Sequence, residues 1–107
     1  WLWPYISWMQ SDVKLDGFVA SLSAFEAPPE LIGPLLGVWY ALRGEWQAAH
    51  GEVQGATVEC SWVHAALHRE EGDHRNAEYW YRRAGRPMAS GEIRAEYLAI
   101  AAALTTG

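Results

Sequence analysis

The sequence predicts a single all-α domain, and three observations support this fold class. Half of the 107 residues are hydrophobic, which is enough for one core and suits one domain over residues 1–107. Apolar residues recur at helical spacing in segments that end at a glycine, as at Gly44 and Gly72. These two glycines lie 28 positions apart, and the residues around them correspond at the same offset, which indicates an internal helical repeat.

The individual helices are predicted from their apolar positions and from the residues that end them. Residues 11–25 favour a short amphipathic helix, which Pro28 and Pro29 bring to an end because proline lacks a backbone donor. Pro34 suits the first turn of the next helix, residues 34–43. The other predicted helices are residues 45–54, 59–71, 74–84 and 90–105, the last being a C-terminal capping helix with Ser90 as its candidate N-cap.

Residues 34–87 are predicted to form two helical hairpins that repeat each other. Gly37 and Ala49 in the first hairpin correspond to Ala65 and Ala77 in the second. Small residues at matched positions let antiparallel helices approach closely. A single hairpin cannot bury its apolar face alone, so we expect the two units to stack.

This pattern resembles the tetratricopeptide-repeat family, which implies two stacked helical hairpins, an N-terminal helix and a capping helix that together serve as a protein-interaction scaffold. The offset of 28 residues departs from the family's 34. The chain also resembles a group of small bacterial proteins that share the pattern WVHAxLHRxEGDxxNAxYWYRRAGRP. The residues that match the repeat are Leu36, Gly37, Tyr40, Gly44, Trp46 and Ala49 in the first unit, and Ala65, Gly72, Ala77, Tyr81 and Ala84 in the second.

Charge and cysteine content restrict the partners and the compartment. The formal net charge of −5 argues against nucleic acid, because binding to phosphates requires clustered Lys and Arg. A membrane partner is not expected, since no apolar run reaches the length of a membrane span. The single cysteine, Cys60, cannot form an internal disulfide, which favours the reducing cytoplasm.

The first function hypothesis is a small cytoplasmic interaction module that binds a protein or peptide and self-associates. Residues 1–10 form an apolar, Trp-rich arm, which we expect to pack on the domain or on a second copy of the chain. In a stacked array the first helix of each hairpin lines a concave groove, which suits a short hydrophobic peptide such as this arm. The predicted partner-binding residues are Val38, Leu42, Trp62, Ala66, Arg69 and Trp80. A third, weaker alternative is a small-molecule pocket lined by Trp39, Trp62 and Trp80.

The second function hypothesis is a metal-binding protein or metal-dependent enzyme. His64 and His68 lie at positions i and i+4, on one face of the predicted third hairpin helix, where the related family usually has leucine and tyrosine. His50 lies on the preceding helix and is expected to face the same interface. Three imidazoles suit a divalent metal such as zinc, with Glu71 or Glu52 as a carboxylate neighbour.

The alternative for these histidines is a structural role in which each is buried and hydrogen-bonded. Catalysis has no support from a motif, because the sequence contains no HExxH, no GxSxG, no CxxC and no Gly-rich phosphate loop. We therefore assign no catalytic residue from the sequence.

Overall fold

Six α-helices make up the fold of residues 12–106, the part of the chain that this computed structural model describes. The all-α prediction is thereby confirmed, whereas the predicted arm of residues 1–10 lies outside the described residues. None of the helices in that part is both long and apolar enough to cross a bilayer. The helices are α1 (Leu15–Ser21), α2 (Gly33–Leu42), α3 (Trp46–Glu52), α4 (Val58–Glu70), α5 (His74–Arg83) and α6 (Ile93–Leu104).

The prediction for the first helix, residues 11–25, was too long at both ends, since α1 begins only after Lys14, whose backbone is extended. Helix α1 ends at Ser21, and Phe25, which was assigned to the apolar face, is 96% exposed. Beyond that end, Nη1 of Arg43 donates to the backbone carbonyls of Leu22 at 3.0 Å and Ala24 at 2.6 Å, so these carbonyls are paired from outside the helix.

The predicted N-cap of the last helix was also wrong. Helix α6 begins at Ile93 with Glu92 as its N-cap, so Ser90 lies outside the helix. Gly91 separates the two positions and has a φ of +88°, a left-handed conformation that a right-handed helix cannot contain.

The glycines predicted as helix stops end α2 and α4 in the same way. Gly44 and Gly72 have φ values of +77° and +86°. After each glycine, the next backbone N–H reaches back to a carbonyl five residues earlier, from Glu45 to Tyr40 and from Asp73 to His68, both at 2.9 Å. This is the hydrogen bond of a Schellman motif, and its recurrence shows that the sequence repeat is a repeat of turn geometry.

Helix α2 approaches its neighbours most closely at Gly37. A Cβ atom at this position would lie 2.7 Å from Cγ1 of Val53, 3.5 Å from the carbonyl oxygen of Ala49 and 3.6 Å from Cγ1 of Val63. The contact joins α2 to α3, to the residue that follows α3, and to α4. Glycine is therefore required here for space rather than for conformation.

Helix α6 packs against both α2 and α4, the two helices that were predicted to line the partner-binding groove. Val38, Trp62 and Ala66 are buried, and Trp62 donates a hydrogen bond to Glu96 of α6. Leu42 is half-buried, and the guanidinium of Arg94 from α6 donates to its carbonyl at 3.4 Å.

A buried carboxylate holds α6 in that position. Glu96 is 9% exposed and accepts hydrogen bonds from the hydroxyl of Tyr81 at 2.7 Å and from Nε1 of Trp62 at 3.3 Å. The guanidinium of Arg69, another predicted partner-binding residue, donates two further bonds to Glu96, at 3.0 and 3.1 Å. The interactions connect α6 with α4 and α5, and they neutralise the buried charge.

Replacing Gly37 with alanine is expected to lower the free energy of unfolding by about 1–3 kcal/mol, because the added methyl group has no space beside Val53. Gly17→Ala is the matched control, since a Cβ at this helical glycine meets nothing within 4 Å and should be neutral or stabilising. Urea unfolding followed by circular dichroism measures both variants. Equal stability of the Gly37 variant and the wild type would contradict the proposed packing.

Replacing Glu96 with glutamine is expected to lower the free energy of unfolding by about 3–5 kcal/mol, because Arg69 loses its buried counter-charge. The control is Glu92→Gln, an exposed glutamate in the same helix region, which should change stability by less than about 0.5 kcal/mol. Thermal unfolding of the two variants side by side provides the comparison. If both variants behave alike, the carboxylate does not anchor α6.

Candidate metal centre

Three histidine rings meet between α3 and α4. His50 comes from α3, and His64 and His68 lie one turn apart on α4. The ring centroids are separated by 4.6 Å for His50 and His64, 4.9 Å for His64 and His68, and 5.3 Å for His50 and His68. One nitrogen from each ring lies within 4.8 Å of a nitrogen from each of the others. The structure thus brings together all three histidines that the sequence singled out, and the group could hold a metal ion.

Local sequence explains why α4 presents its two histidines on one face. The hydroxyl of Thr57 caps the helix by accepting from the backbone N–H of Cys60 at 3.1 Å. The helix then runs unbroken for 13 residues, so residues four apart remain on the same face.

Trp46 brings α3 and its histidine against α4. Its Nε1 donates to the backbone carbonyl of Leu67 at 2.8 Å, which connects the start of α3 to α4. The same indole stacks on His50 at 4.7 Å and meets the edge of His68 at 5.9 Å. A seven-residue helix has little stability of its own, so these contacts fix where His50 lies.

A second tryptophan covers the other side of the cluster. Trp80 of α5 stacks on His64 with ring centroids 3.9 Å apart and planes inclined by 13°. Trp80 was predicted to bind a partner, but in the structure its ring lies against this histidine. Of the three tryptophans predicted to line a small-molecule pocket, Trp39 donates to Ser21, Trp62 donates to Glu96 and Trp80 stacks on His64.

Glu71 orients His68. Its Oε2 lies 2.7 Å from Nδ1 of His68, close enough for a strong hydrogen bond. When Nδ1 donates to a carboxylate, Nε2 carries the lone pair, which is the usual arrangement of a metal-binding histidine. Of the two predicted carboxylate neighbours, Glu71 has this role, whereas Glu52 is exposed at the end of α3.

His64 is the most deeply buried of the three, with 4% of its surface exposed. Burial lowers the pKa of His64 to about 4, the nearby His50 and His68 add to this effect, and a hydrogen bond to the backbone carbonyl of Val53 opposes it. Within residues 12–106, Nδ1 of His64 has no hydrogen-bond partner. This ring nitrogen is therefore buried without a polar partner among the described residues.

His50 is half-buried at the outer side of the cluster. Burial lowers its pKa and the neighbouring His68 lowers it further, while Glu71 acts in the opposite direction. The amide nitrogen of Gln54 lies 3.1 Å from Nδ1 of His50 and donates to it, so the proton of the neutral ring is on Nε2. Coordination of an ion through Nε2 therefore requires the ring proton to move to Nδ1 and the amide of Gln54 to turn its oxygen toward the ring. At pH 7 the rings of His50 and His64 are neutral, which is the state that binds metals.

The spacing is compatible with that of an occupied site. Three nitrogens bound at about 2.0–2.1 Å to a tetrahedral ion lie about 3.3 Å from one another. The three nitrogens here all lie within 4.8 Å of one another, so small ring rotations suffice to reach that spacing. Three such ligands leave a fourth position open for another ligand.

Sequence reasoning missed several residues around the two buried polar clusters. Glu96 was predicted only to lie in the last helix. It occupies a position on the apolar face that also contains Ile93, Tyr97 and Ile100. A charged residue on that face is the signal that could have identified it. Trp46 was assigned to the repeat pattern alone, although it lies four residues before His50 on α3, the spacing at which side chains on one helix meet. Its contacts with Leu67 and His68 of α4 follow from no spacing rule.

Comparison of the chain with protein-family models, with curated proteins and with solved structures finds no match. The resemblance to tetratricopeptide repeats and to the small bacterial proteins stays a prediction.

The metal-free protein is expected to lose stability as the pH falls from about 6.5 to about 4. The pKa of His64 is lower in the folded state than its ordinary value of 6.5, so the unfolded chain binds a proton at a higher pH than the folded chain does. The stability that neutral His64 contributes is therefore complete above about pH 6.5 and is lost as the pH falls to about 4. The free energy of unfolding should fall by on the order of 3 kcal/mol over this pH range. Urea unfolding in chelator at several pH values measures this slope. His64→Leu should flatten it, and an unchanged slope in that variant would contradict the assignment.

Proposed function

We propose that this chain is a metal-binding helical protein whose ion is held by His50, His64 and His68. The observation that supports the proposal most strongly is the buried Nδ1 of His64, which has no hydrogen-bond partner within residues 12–106. Buried polar atoms are nearly always paired, and an unpaired one costs about 1–3 kcal/mol. A bound ion would accept a lone pair from this nitrogen and from one nitrogen of each of the two neighbouring rings.

The donor set favours a transition metal of borderline softness. Imidazole nitrogen suits zinc, copper, nickel and iron, whereas calcium and magnesium prefer oxygen ligands. We propose zinc as the occupant, because three histidines and one further ligand form a common tetrahedral zinc site. The contact between Glu71 and His68 supports this choice, since it supplies the outer carboxylate of such sites.

The proposed ion would connect the two predicted hairpins. His50 belongs to α3, and the other two ligands belong to α4, so one ion joins elements from both units. A ligand that binds only the folded chain stabilises it by about 2.7 kcal/mol at a concentration 100 times its Kd. Zinc should therefore raise the unfolding temperature.

The interaction module remains a separate hypothesis. The self-association and the cytoplasmic location predicted from the sequence belong to it. The proposed concave groove would require a partner to displace α6, because Val38, Trp62 and Ala66 are buried beneath that helix. No observation on residues 12–106 favours this function over metal binding.

The protein purified without a histidine tag is expected to bind one zinc ion per chain. The double variant His64→Ala, His68→Ala should bind at least about 100-fold more weakly, because two of three ligands are lost. Isothermal titration with zinc and elemental analysis after dialysis measure affinity and stoichiometry. The matched control is His74→Ala, which removes an exposed histidine outside the cluster and should bind as the wild type does.

Absence of bound metal, together with melting that chelator and added zinc leave unchanged, would overturn the proposal. Equal zinc affinity of the double variant and the wild type would overturn the assigned ligands.

A further inference from the structure

Two buried side-chain polar atoms have no hydrogen-bond partner among residues 12–106, and both belong to α4. One is Nδ1 of His64 and the other is Oγ of Ser61. Ser61 has no exposed surface, so bulk water does not satisfy its hydroxyl. A helical serine often bonds to the carbonyl four residues earlier, but the carbonyl of Thr57 accepts only the backbone N–H of Ser61, at 2.9 Å.

The helix brings these two atoms into the same region. Residues three apart on an α-helix are surface neighbours, with Cβ atoms about 5–6 Å apart. Helical side chains also lean toward the N-terminus, so the ring of His64 extends over the turn that contains Ser61. Trp80 stacks on one face of that ring, with the ring centroids 3.9 Å apart.

An ion bound by three histidines satisfies His64 and leaves Ser61 unpaired. The charges of such a site are also incomplete, because three neutral imidazoles offset none of the two positive charges of a divalent ion. Glu71 supplies one negative charge through His68. A small anion or a hydroxide in the fourth position would supply the second and would accept a hydrogen bond from a neighbouring hydroxyl.

We infer that the fourth position of the proposed metal site takes a small exogenous ligand, water or a monovalent anion, and that the hydroxyl of Ser61 donates a hydrogen bond to it. This inference rests on the proposed function. It identifies Ser61 as a positioning residue and small oxygen or nitrogen donors as the ligand class. One ion with one such ligand would give partners to both unpaired atoms of α4, Nδ1 of His64 and Oγ of Ser61.

The test uses the protein loaded with cobalt(II), a spectroscopic substitute for zinc, and titrates it with sodium azide. In the wild type, azide should change the visible absorption of cobalt in a saturable manner. Ser61→Ala should weaken azide binding about tenfold or more, because a hydrogen bond to a charged group is lost, while the affinity for cobalt stays the same. Cys60→Ala is the control, since its thiol lies outside the histidine group, and it should match the wild type in both measurements.

Three results would overturn this inference while leaving the metal site in place. The first is the absence of a spectral response to azide in the wild type, and the second is equal azide affinity in Ser61→Ala and the wild type. The third is loss of cobalt binding in Ser61→Ala with an unaltered near-ultraviolet circular dichroism spectrum. The third result would make Ser61 a ligand or a support of the ligands. Failure of the wild type to bind cobalt or zinc at all would overturn the proposed function and this inference with it.

Discussion

The close approach of α2 to its neighbours at Gly37 is the constraint on which the rest of the structure depends. The three residues that crowd this glycine are Ala49, Val53 and Val63. Ala49 immediately precedes His50, and Val63 immediately precedes His64. The contact therefore fixes the position of α3 relative to α4 next to the backbone positions of two of the three histidines. A larger residue at position 37 would separate the helices there and would move these rings apart.

The two buried polar clusters of the protein differ in how completely they are paired. The carboxylate of Glu96 accepts bonds from Trp62, Arg69 and Tyr81, and its charge is neutralised by the guanidinium. Such a network is complete within the chain and serves to hold α6. The histidine cluster, by contrast, leaves Nδ1 of His64 unpaired. This difference in pairing is the reason why the proposed function is assigned to the histidines and not to Glu96.

Much of the fold could be predicted from the sequence because its signals are local. The glycine stops at Gly44 and Gly72 depend on φ alone, and the shared face of His64 and His68 follows from helical spacing. The position of α6 could not be predicted in this way. Whether a groove stays open or is filled depends on contacts between residues far apart in the chain, such as that of Arg69 with Glu96. For the same reason the helix spacing gave no indication that Trp80 stacks on His64.

The shortness of α3 connects the folding of the protein with access to the histidines. A helix of two turns is only marginally stable in water, so α3 depends on its packing against α2 and on the bond from Trp46 to Leu67. Its contact with α4, which carries the other two histidines, is much smaller than its contact with α2. Opening of α3 would expose His64 and His68 together and give an ion a path into the cluster. Binding of that ion to His50 would then hold α3 in its folded position. Metal binding and the folding of α3 would therefore be coupled in a single equilibrium.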